Sequence, residues 1–419
     1  MLTVKDRPSL GEGAGWPEPV ARSETPELSV VMPCLDEEAT IERCVEKALL
    51  GIARCGLPGE VIVADNGSTD RSVAVALAAG ARVVRQPQRG YGHAYQAGFT
   101  AARGRYLIMG DSDDTYDFAA IAPFVALLRS GAYDYVLGSR FKGTILAGAM
   151  PWHHRYIGNP LLTGLLNRLF GLDSSDAHSG MRAFTREAYA RMQLRSPGME
   201  FASEIVVNAA KARLRITEVP ITYYPRAGES KLRSFRDGWR HVRYLLLHSP
   251  DWLFLVPSLV LLGCGLALLP ALALIGGTVS GNPWAIQAAA LATLCTMLGG
   301  QLLGLGLSAK AYTHRHGFAP HDRSIQRFYR HFSLERGILA GGALLLAGSG
   351  ALTAFLVHAA GRDSGTLDML WLGGAGMSAL VLGVQIIFSS FLLALLHSPP
   401  AVGLPAVAVV GDDAPGESR

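Results

Sequence analysis

The chain has 419 residues, a formal net charge of +4 and five cysteines. That length allows two or three domains, and the modest charge, with its basic residues gathered beside apolar segments, excludes a nucleic-acid footprint. An odd cysteine count with no C-x-x-C excludes a disulfide framework and a cysteine-based zinc site, and fits reduced thiols in a cytosolic setting.

Residues 1–27 are polar and rich in Gly, Pro and Glu, and predict a disordered segment, not a signal peptide. Leu28-Ser-Val-Val-Met32 reads as a short buried strand. Asp36-Glu-Glu38 follows it and suits the first turn of a helix running to about Cys55. Glu60–Ala64 is a second strand, ending at Asp65-Asn-Gly-Ser-Thr-Asp70. Asn-Gly makes a tight turn, Asp70 is a candidate helix cap, and Asp65 at the strand end suits a base or ribose. A helix to about Ala79 and a strand over Ala81–Arg85 come next.

Arg89-Gly-Tyr-Gly-His-Ala94 is glycine-rich and opens a helix, so its amides suit a phosphate, with Arg89 and Gly90 at the contact. It is neither a Walker loop nor a complete dinucleotide fingerprint, because Tyr95 stands where the third glycine would be. The helix leads into Tyr106-Leu-Ile-Met109, a buried strand ended by Gly110. Directly after it stand Asp111 and Asp113 around Ser112, with Asp114 extending the acidic cluster and Asp117 expected to cap a helix over 118–129. Two carboxylates one residue apart at the end of a parallel strand face the ligand crevice, where both can reach one hard cation that also takes substrate phosphate oxygens. The triplet therefore predicts a metal–diphosphate site, with Asp111 and Asp113 as ligands of Mg²⁺ or Mn²⁺. Alternating strands and helices predict a mostly parallel α/β sheet with helices on both faces.

Four stretches without Asp, Glu, Lys or Arg follow Trp252, at 253–277, 285–309, 337–360 and 370–396. Each exceeds the roughly 20 residues that cross a bilayer core. Loop 310–336 carries Lys310, Arg315, Arg323, Arg327, Arg330 and Arg336, whereas 278–284 is uncharged and 361–369 has only Arg362 as a cation. The loop is therefore expected on the cytoplasmic side, together with the globular part and the tail. Over 233–247, Phe235, Trp239, Val242 and Leu246 form one helical stripe beside Arg236, Arg240 and Arg243. Over 323–332, Ile325, Phe328, Tyr329 and Phe332 lie against Arg323, Arg327 and Arg330. Both stripes predict helices lying in the bilayer interface. Gly300-x-x-x-Gly304 suits close helix packing within one subunit or between the subunits of a homo-oligomer. The expected organisation is a disordered 1–27, a globular domain over 28–232, an amphipathic juxtamembrane helix over 233–252, a four-helix transmembrane domain over 253–397, and a disordered tail over 398–419.

The ordered motifs Val31–Glu38, Val63–Asp70, Arg89–Gly92, Met109–Asp113, Gly138-Ser-Arg140, Asp176–Phe184, Glu200–Glu204, Glu218–Tyr223 and Arg226–Lys231 carry a resemblance. Over roughly 28–248 the chain resembles family 2 glycosyltransferases of the GT-A (Rossmann-like) fold. The similar branch holds dolichol-phosphate mannose and glucose synthases and bacterial polyprenyl-phosphate glycosyltransferases, some of which carry helices after the catalytic domain. The resemblance implies that Pro33, Leu35, Glu37 and Ser112 line a nucleotide-sugar pocket and that Asp65 contacts the base. It implies that Arg140 and Arg182 lie near the phosphates, and that Arg226, Ser230 and Lys231 bind the lipid phosphate. Asp36 departs from the usual Asn, and the absence of Q-x-x-R-W argues against a chain-building polymerase.

The expected reaction is a metal-dependent, inverting transfer of one hexose from UDP-glucose, or next GDP-mannose, to polyprenyl phosphate at the cytosolic face of the cell membrane. An ionised phosphate needs no strong base, so Asp176 and Glu204 are read as positional groups before catalytic bases, and His93 and His178 as packed or surface residues. Two alternatives stand: transfer to another lipid such as diacylglycerol, and a membrane scaffold or flippase partner with an inactive transferase domain.

Overall fold

The computed structural model describes residues 25–227, 234–275, 283–315, 323–361 and 369–397. The chain divides into two units, Met1–Leu247 and His248–Arg419. The first holds seven strands: β1 (Leu28–Cys34), β2 (Gly59–Asp65), β3 (Arg82–Arg85), β4 (Tyr106–Met109), β5 (Tyr135–Ile145), β6 (Arg182–Thr185) and β7 (Ile216–Tyr223). Its helices are α1 (Ile41–Cys55), α2 (Ser72–Ala78), α3 (Tyr91–Ala101), α4 (Ala122–Arg129), α5 (Asn159–Phe170), α6 (Arg186–Met192), α7 (Phe201–Lys211) and α8 (Ser234–Leu247).

The sheet order is β3-β2-β1-β4-β6-β5-β7. Every adjacent pair is parallel except those of β6, which runs antiparallel between β4 and β5. The mostly parallel sheet expected from strand–helix alternation is therefore present, with one reversed strand that the alternation did not reveal.

The continuous apolar runs follow from burial on both faces. Successive side chains of a strand point to opposite faces. Val30, Met32, Val61, Val63 and Ile108 thus join one core with Ile41, Val45 and Ala48 of α1 and Phe124 and Leu128 of α4. Val31, Ile62, Leu107 and Met109 join a second core with Tyr95 and Phe99 of α3, Met192 of α6 and Phe201 and Ile205 of α7. Register sets Cys34 opposite Asp65 and Val31 opposite Met109, so β1, β2 and β4 end along one edge. Asp65 and the Asp111–Asp113 triplet project from that edge.

Asp36-Glu-Glu38 does not open α1, which starts at Ile41. Asp36 has φ 51 and accepts the Thr69 amide at 2.7 Å, while Glu38 accepts the Arg71 amide at 2.9 Å. The positive φ breaks the helical path, and these carboxylates serve the neighbouring β2–α2 turn instead. Asp70 acts from just outside α2, accepting the Ser72 amide at 2.9 Å. Asp117 accepts the Ala119 amide at 3.0 Å and caps a 3₁₀ turn over Phe118–Ala120 that precedes α4.

The second unit holds α9 (Val256–Ile275), α10 (Pro283–Arg315), α11 (Arg323–His331), α12 (Leu334–Ala360) and α13 (Leu370–His397). Asp251–Leu274, Ile286–Arg315, Leu334–Ala360 and Leu370–His397 are long and apolar enough to cross a membrane. Glycines set the close approaches, as expected without a hydrophobic drive between helices in lipid. A Cβ at Gly376 would stand 3.1 Å from the Gly348 carbonyl, and one at Gly341 2.7 Å from the Gly383 carbonyl, so α12 and α13 meet backbone to backbone. Gly300 and Gly304 of α10 face Leu382 and Ser389 of α13, a packing within one chain.

Two sequence expectations change here. Residues 310–315 continue α10 and are not loop; Lys310 is buried and pairs with Asp251 at 2.7 Å. The stripe of α11 is turned partly to protein: Ile325 is buried, and Tyr329 stacks on His397 of α13 at 4.2 Å between ring centroids. The expected disordered segments lie outside the described residues, apart from 25–27.

Phe99 is fully buried among Tyr95, Phe184 and Tyr189. Phe99→Ala is expected to cost the catalytic unit about 3–5 kcal/mol, read as a lowered unfolding temperature of the detergent-solubilised protein. A melt unchanged from the parent would contradict this packing.

Candidate active site

Asp111 leaves the end of β4 beneath α3. The hydroxyls of Tyr91 and Tyr95 both donate to its Oδ1, at 2.9 and 3.3 Å. Its Oδ2 lies where Gly180 leaves room, since a Cβ there would come within 2.7 Å of it. Burial, and then the neighbouring charge of Asp113, push the Asp111 carboxyl well above the usual carboxylate range. Asp113 is buried; its Oδ1 accepts the Thr115 hydroxyl at 2.6 Å and amide at 3.2 Å. Its Oδ2 meets Nη1 of Arg226 at 3.1 Å, while Nη2 of the same guanidinium donates to Glu37 at 2.8 Å. Glu37, Asp113 and Arg226 therefore form one charged cluster beside Asp111.

Ser112 turns away from the crevice. Its hydroxyl donates to the Pro33 carbonyl at 2.6 Å and its carbonyl accepts the Thr40 hydroxyl at 2.7 Å, which ties the triplet to the end of β1. Pro33 and Leu35 are half-buried beside it. Asp114, expected to extend the acidic cluster, is instead neutralised from α1 by Lys47 at 2.6 Å and Arg43 at 3.6 Å.

Three amides of the glycine-rich segment are already bonded within the protein. The Gly92 and His93 amides donate to the Pro197 carbonyl at 2.9 and 3.2 Å, and the Gly90 amide to Asn66 Oδ1 at 2.7 Å. A Cβ at Gly90 would stand 2.3 Å from the Pro197 oxygen and one at Gly92 2.0 Å from the Ser196 oxygen. These glycines make room for the 195–198 loop, which caps α3. Arg89 stays exposed at the rim, and its guanidinium donates to the Gly67 carbonyl at 3.4 Å. His93 Nδ1 sits 3.3 Å from the Arg89 carbonyl. Asp65 is buried and accepts the Ser68 amide at 3.0 Å. Asn66, read from sequence only as a turn residue, holds the segment by donating to the Gln86 and Gln88 carbonyls at 3.1 and 2.8 Å.

Arg140 and Asp176 form a buried bidentate pair at 2.7 and 2.8 Å, with the Arg140 amide also donating to Asp176 at 3.0 Å. The Arg140 guanidinium lies over the Tyr223 ring at 5.1 Å. Arg182, expected near the phosphates, is fully buried and donates to the Ser179, Ala202 and Ala177 carbonyls at 2.8, 2.8 and 3.1 Å. It ties the 177–182 stretch to α7 and presents nothing to the crevice. Glu204 accepts the Arg195 and Ser196 amides at 2.9 and 2.8 Å, so it shapes the loop that caps α3.

His178 Nε2 and His241 Nδ1 lie 3.1 and 2.9 Å from the Ser203 hydroxyl, and the two rings meet edge-on at 4.9 Å between centroids. Burial pushes both imidazoles down, which keeps them neutral. This link between α8 and the Asp176–Arg182 segment had no sequence signal, because its members are far apart in the chain. Ser230 and Lys231 lie outside the described residues.

Among the described residues no three His, Cys, Asp or Glu side chains converge on one point. Asp111 and Asp113 nevertheless fit a hard divalent cation: both present oxygen, and substrate oxygens and water commonly complete such a shell. Burial first, and the Asp113 charge second, raise the Asp111 carboxyl, and a cation held there would relieve both.

Residues 29–192 match the family model described as glycosyl transferase family 2, and residues 307–397 match that of the glycosyltransferase family 2 C-terminal transmembrane region. The chain is 42% identical over 377 residues to the low-salt glycan biosynthesis hexosyltransferase Agl6 of Haloferax volcanii, covering 88% of this chain and 89% of that one. It is 34% identical over 213 residues to a dolichyl-phosphate hexose transferase of the same organism, covering 51% and 89%. Among solved structures, glucosyl-3-phosphoglycerate synthase from Mycobacterium tuberculosis aligns at 25% identity with a TM-score of 0.42, over 53% of this chain and 79% of that chain.

Two predictions follow from the buried charges. Asp176→Ala would leave Arg140 buried without its partner, at a cost of about 3–5 kcal/mol; a thermal melt like that of the parent would contradict the pairing. A carboxyl whose pKa rises on folding destabilises the folded protein once ionised, so the penalty grows as pH climbs past about 4. Asp111→Asn keeps an acceptor for both phenols and removes the charge. It is expected to raise the Tm of the ligand-free protein at neutral and alkaline pH, with the gain vanishing toward about pH 4. An equal shift across the whole range would contradict a buried charge.

Proposed function

This chain belongs to glycosyltransferase family 2, and we propose that it transfers one hexose from a nucleotide sugar to a polyprenyl phosphate. It is a multi-pass membrane glycosyltransferase. Its relatives include proteins named as a hexosyltransferase and as a dolichyl-phosphate hexose transferase, which supports both the sugar and the lipid acceptor. The basic residues of 310–336 support a cytosolic face of the cell membrane.

The observation that carries the reading is the cluster at the strand ends: Asp113 with Arg226 and Glu37, next to an Asp111 whose charge is unfavourable until neutralised. A divalent Mg²⁺ or Mn²⁺ ion held by Asp111 and Asp113 would supply positive charge to the leaving nucleoside diphosphate. Arg226 adds a guanidinium at the same place, and Glu37 keeps it there. Tyr91 and Tyr95 fix the Asp111 rotamer, and Thr115 fixes Asp113. The lipid phosphate oxygen attacks the anomeric carbon as the bond from that carbon to the diphosphate oxygen breaks. The single displacement inverts the centre, giving a β-linked product from an α-linked donor.

An ionised phosphate brings its own nucleophile and needs no proton acceptor. A hydroxyl acceptor such as diacylglycerol would need one. Asp176 and Glu204, considered for that task, are committed to Arg140 and to loop amides respectively, which supports the phosphate acceptor. UDP-glucose is the preferred donor, with GDP-mannose next; Asp65 at the end of β2 is the residue that meets the base.

The test is transfer of labelled hexose by the purified protein, with a donor panel, polyprenyl phosphate and Mg²⁺ or Mn²⁺. Asp113→Ala is expected to lower kcat by roughly 10²-fold or more, in line with the loss of one transition-state charge contact. Undiminished transfer by that variant would remove Asp113 from the mechanism, and transfer to diacylglycerol in place of polyprenyl phosphate would overturn the acceptor.

A further inference from the structure

Both oxygens of Asp113 are taken up within the protein. Oδ1 accepts the Thr115 hydroxyl and amide, and Oδ2 meets the Arg226 guanidinium at 3.1 Å. A divalent cation on Asp113 therefore meets a positive charge already at the same carboxylate, and two like charges so close repel. Backbone pairing delivers Arg226 to this place. Tyr223, at the end of β7, forms an antiparallel bridge with Tyr116, and their rings lie 5.3 Å apart between centroids. The next residue, Tyr224, donates its amide to the Thr115 carbonyl at 3.0 Å, and the Lys47 ammonium lies over its ring at 5.7 Å. The 115–116 stretch thus holds Asp113 through the Thr115 side chain, and through its backbone the strand end from which Arg226 reaches back.

The guanidinium is incompletely used there. Nη1 serves Asp113 and Nη2 serves Glu37, but Nε is buried and meets no acceptor among the described residues. A buried donor without an acceptor carries the cost of its lost hydration. A guanidinium edge presents two parallel N–H groups, which match the oxygens of a phosphate or diphosphate. Arg226 is therefore held at Asp113 by charge while one of its donors is left for an anion that the protein itself does not supply.

We propose that Arg226 is an exchangeable counter-ion. It occupies Asp113 until a divalent cation and a diphosphate are both present, and then passes from Asp113 to the diphosphate while Glu37 keeps hold of it. The proposal rests on the metal–diphosphate reading given above and adds to it a coupling between the two ligands. A cation arriving alone has to displace Arg226 and binds weakly. A diphosphate draws Arg226 away from Asp113 and removes that cost. Cation and donor then each raise the affinity of the other by the same factor, as linkage requires. A site built in this way takes up its cation chiefly together with the nucleotide.

The test titrates Mn²⁺ into the purified chain and into Arg226→Gln, without nucleotide and with saturating UDP-glucose or, in a parallel series, GDP-mannose. Bound Mn²⁺ is read by electron paramagnetic resonance, and a thermal melt of each variant checks its folding. Without nucleotide, Arg226→Gln is expected to bind Mn²⁺ about 5-fold or more tighter than the parent, at the lower end of ordinary coupling between sites. With nucleotide sugar most of that gain is expected to vanish, because Arg226 has then already left Asp113 in the parent. Arg226→Lys keeps the charge without the planar fork, is expected to fall between the two, and carries the comparison if Arg226→Gln melts early. Unchanged Mn²⁺ affinity without nucleotide, beside a normal effect of the donor, would overturn the exchange alone. An equal gain with and without nucleotide sugar would make Arg226 a fixed neighbouring charge and would also overturn it. Failure of both nucleotide sugars to alter Mn²⁺ binding by the parent would contradict the donor reading, and the exchange with it.

Discussion

The catalytic unit holds two carboxylates one residue apart at the end of a buried strand, where burial first and their mutual repulsion second disfavour a second negative charge. Strand β4 has no freedom to separate them, because its four residues are buried between two cores. Tyr91 and Tyr95 donate to one carboxylate; Thr115 and Arg226 donate to the other. Even so the Asp111 carboxyl remains raised, which means the fold pays a standing penalty to keep a second negative charge there. A cationic ligand bound at this place would relieve that penalty.

The surrounding polar residues divide by burial. Those sealed inside the protein hold loops: Arg182 gathers three carbonyls, Glu204 orders the loop that caps α3, and Asp176 anchors Arg140. Those at the rim retain reach toward a ligand, namely Arg226 through its shared contact with Glu37 and Asp113, and Arg89 beside Gly67. The division explains how a site rich in charged residues uses few of them for chemistry.

The strands that carry the carboxylates were legible in the sequence because both of their faces are buried, which leaves unbroken apolar runs such as Leu28–Met32 and Tyr106–Met109. The spans were legible for the same reason on a larger scale. Strand β6 was not: its four residues open with an arginine and pair antiparallel to both neighbours, and no local pattern announces a reversal. The glycine-rich segment around Gly90 suggests phosphate because Gly at a helix start is what phosphate sites use, and Arg182 is placed there only by the family resemblance. Their actual partners, the Ala177, Ser179 and Ala202 carbonyls and the 195–198 loop, are backbone groups that leave no mark in side-chain identity. Asn66 carries no such signal for the opposite reason, since an Asn-Gly turn already accounts for it locally.

The central claim is that Asp111 and Asp113 mark where donor diphosphate and divalent cation meet. Electron paramagnetic resonance of Mn²⁺ titrated into the purified protein tests it without depending on the acceptor. The account predicts weak Mn²⁺ binding alone, tighter binding when nucleotide sugar is added, phosphorus hyperfine coupling in that complex, and loss of the signal in Asp113→Ala. Donor-independent Mn²⁺ binding that persists in Asp113→Ala, with no phosphorus coupling, would contradict it.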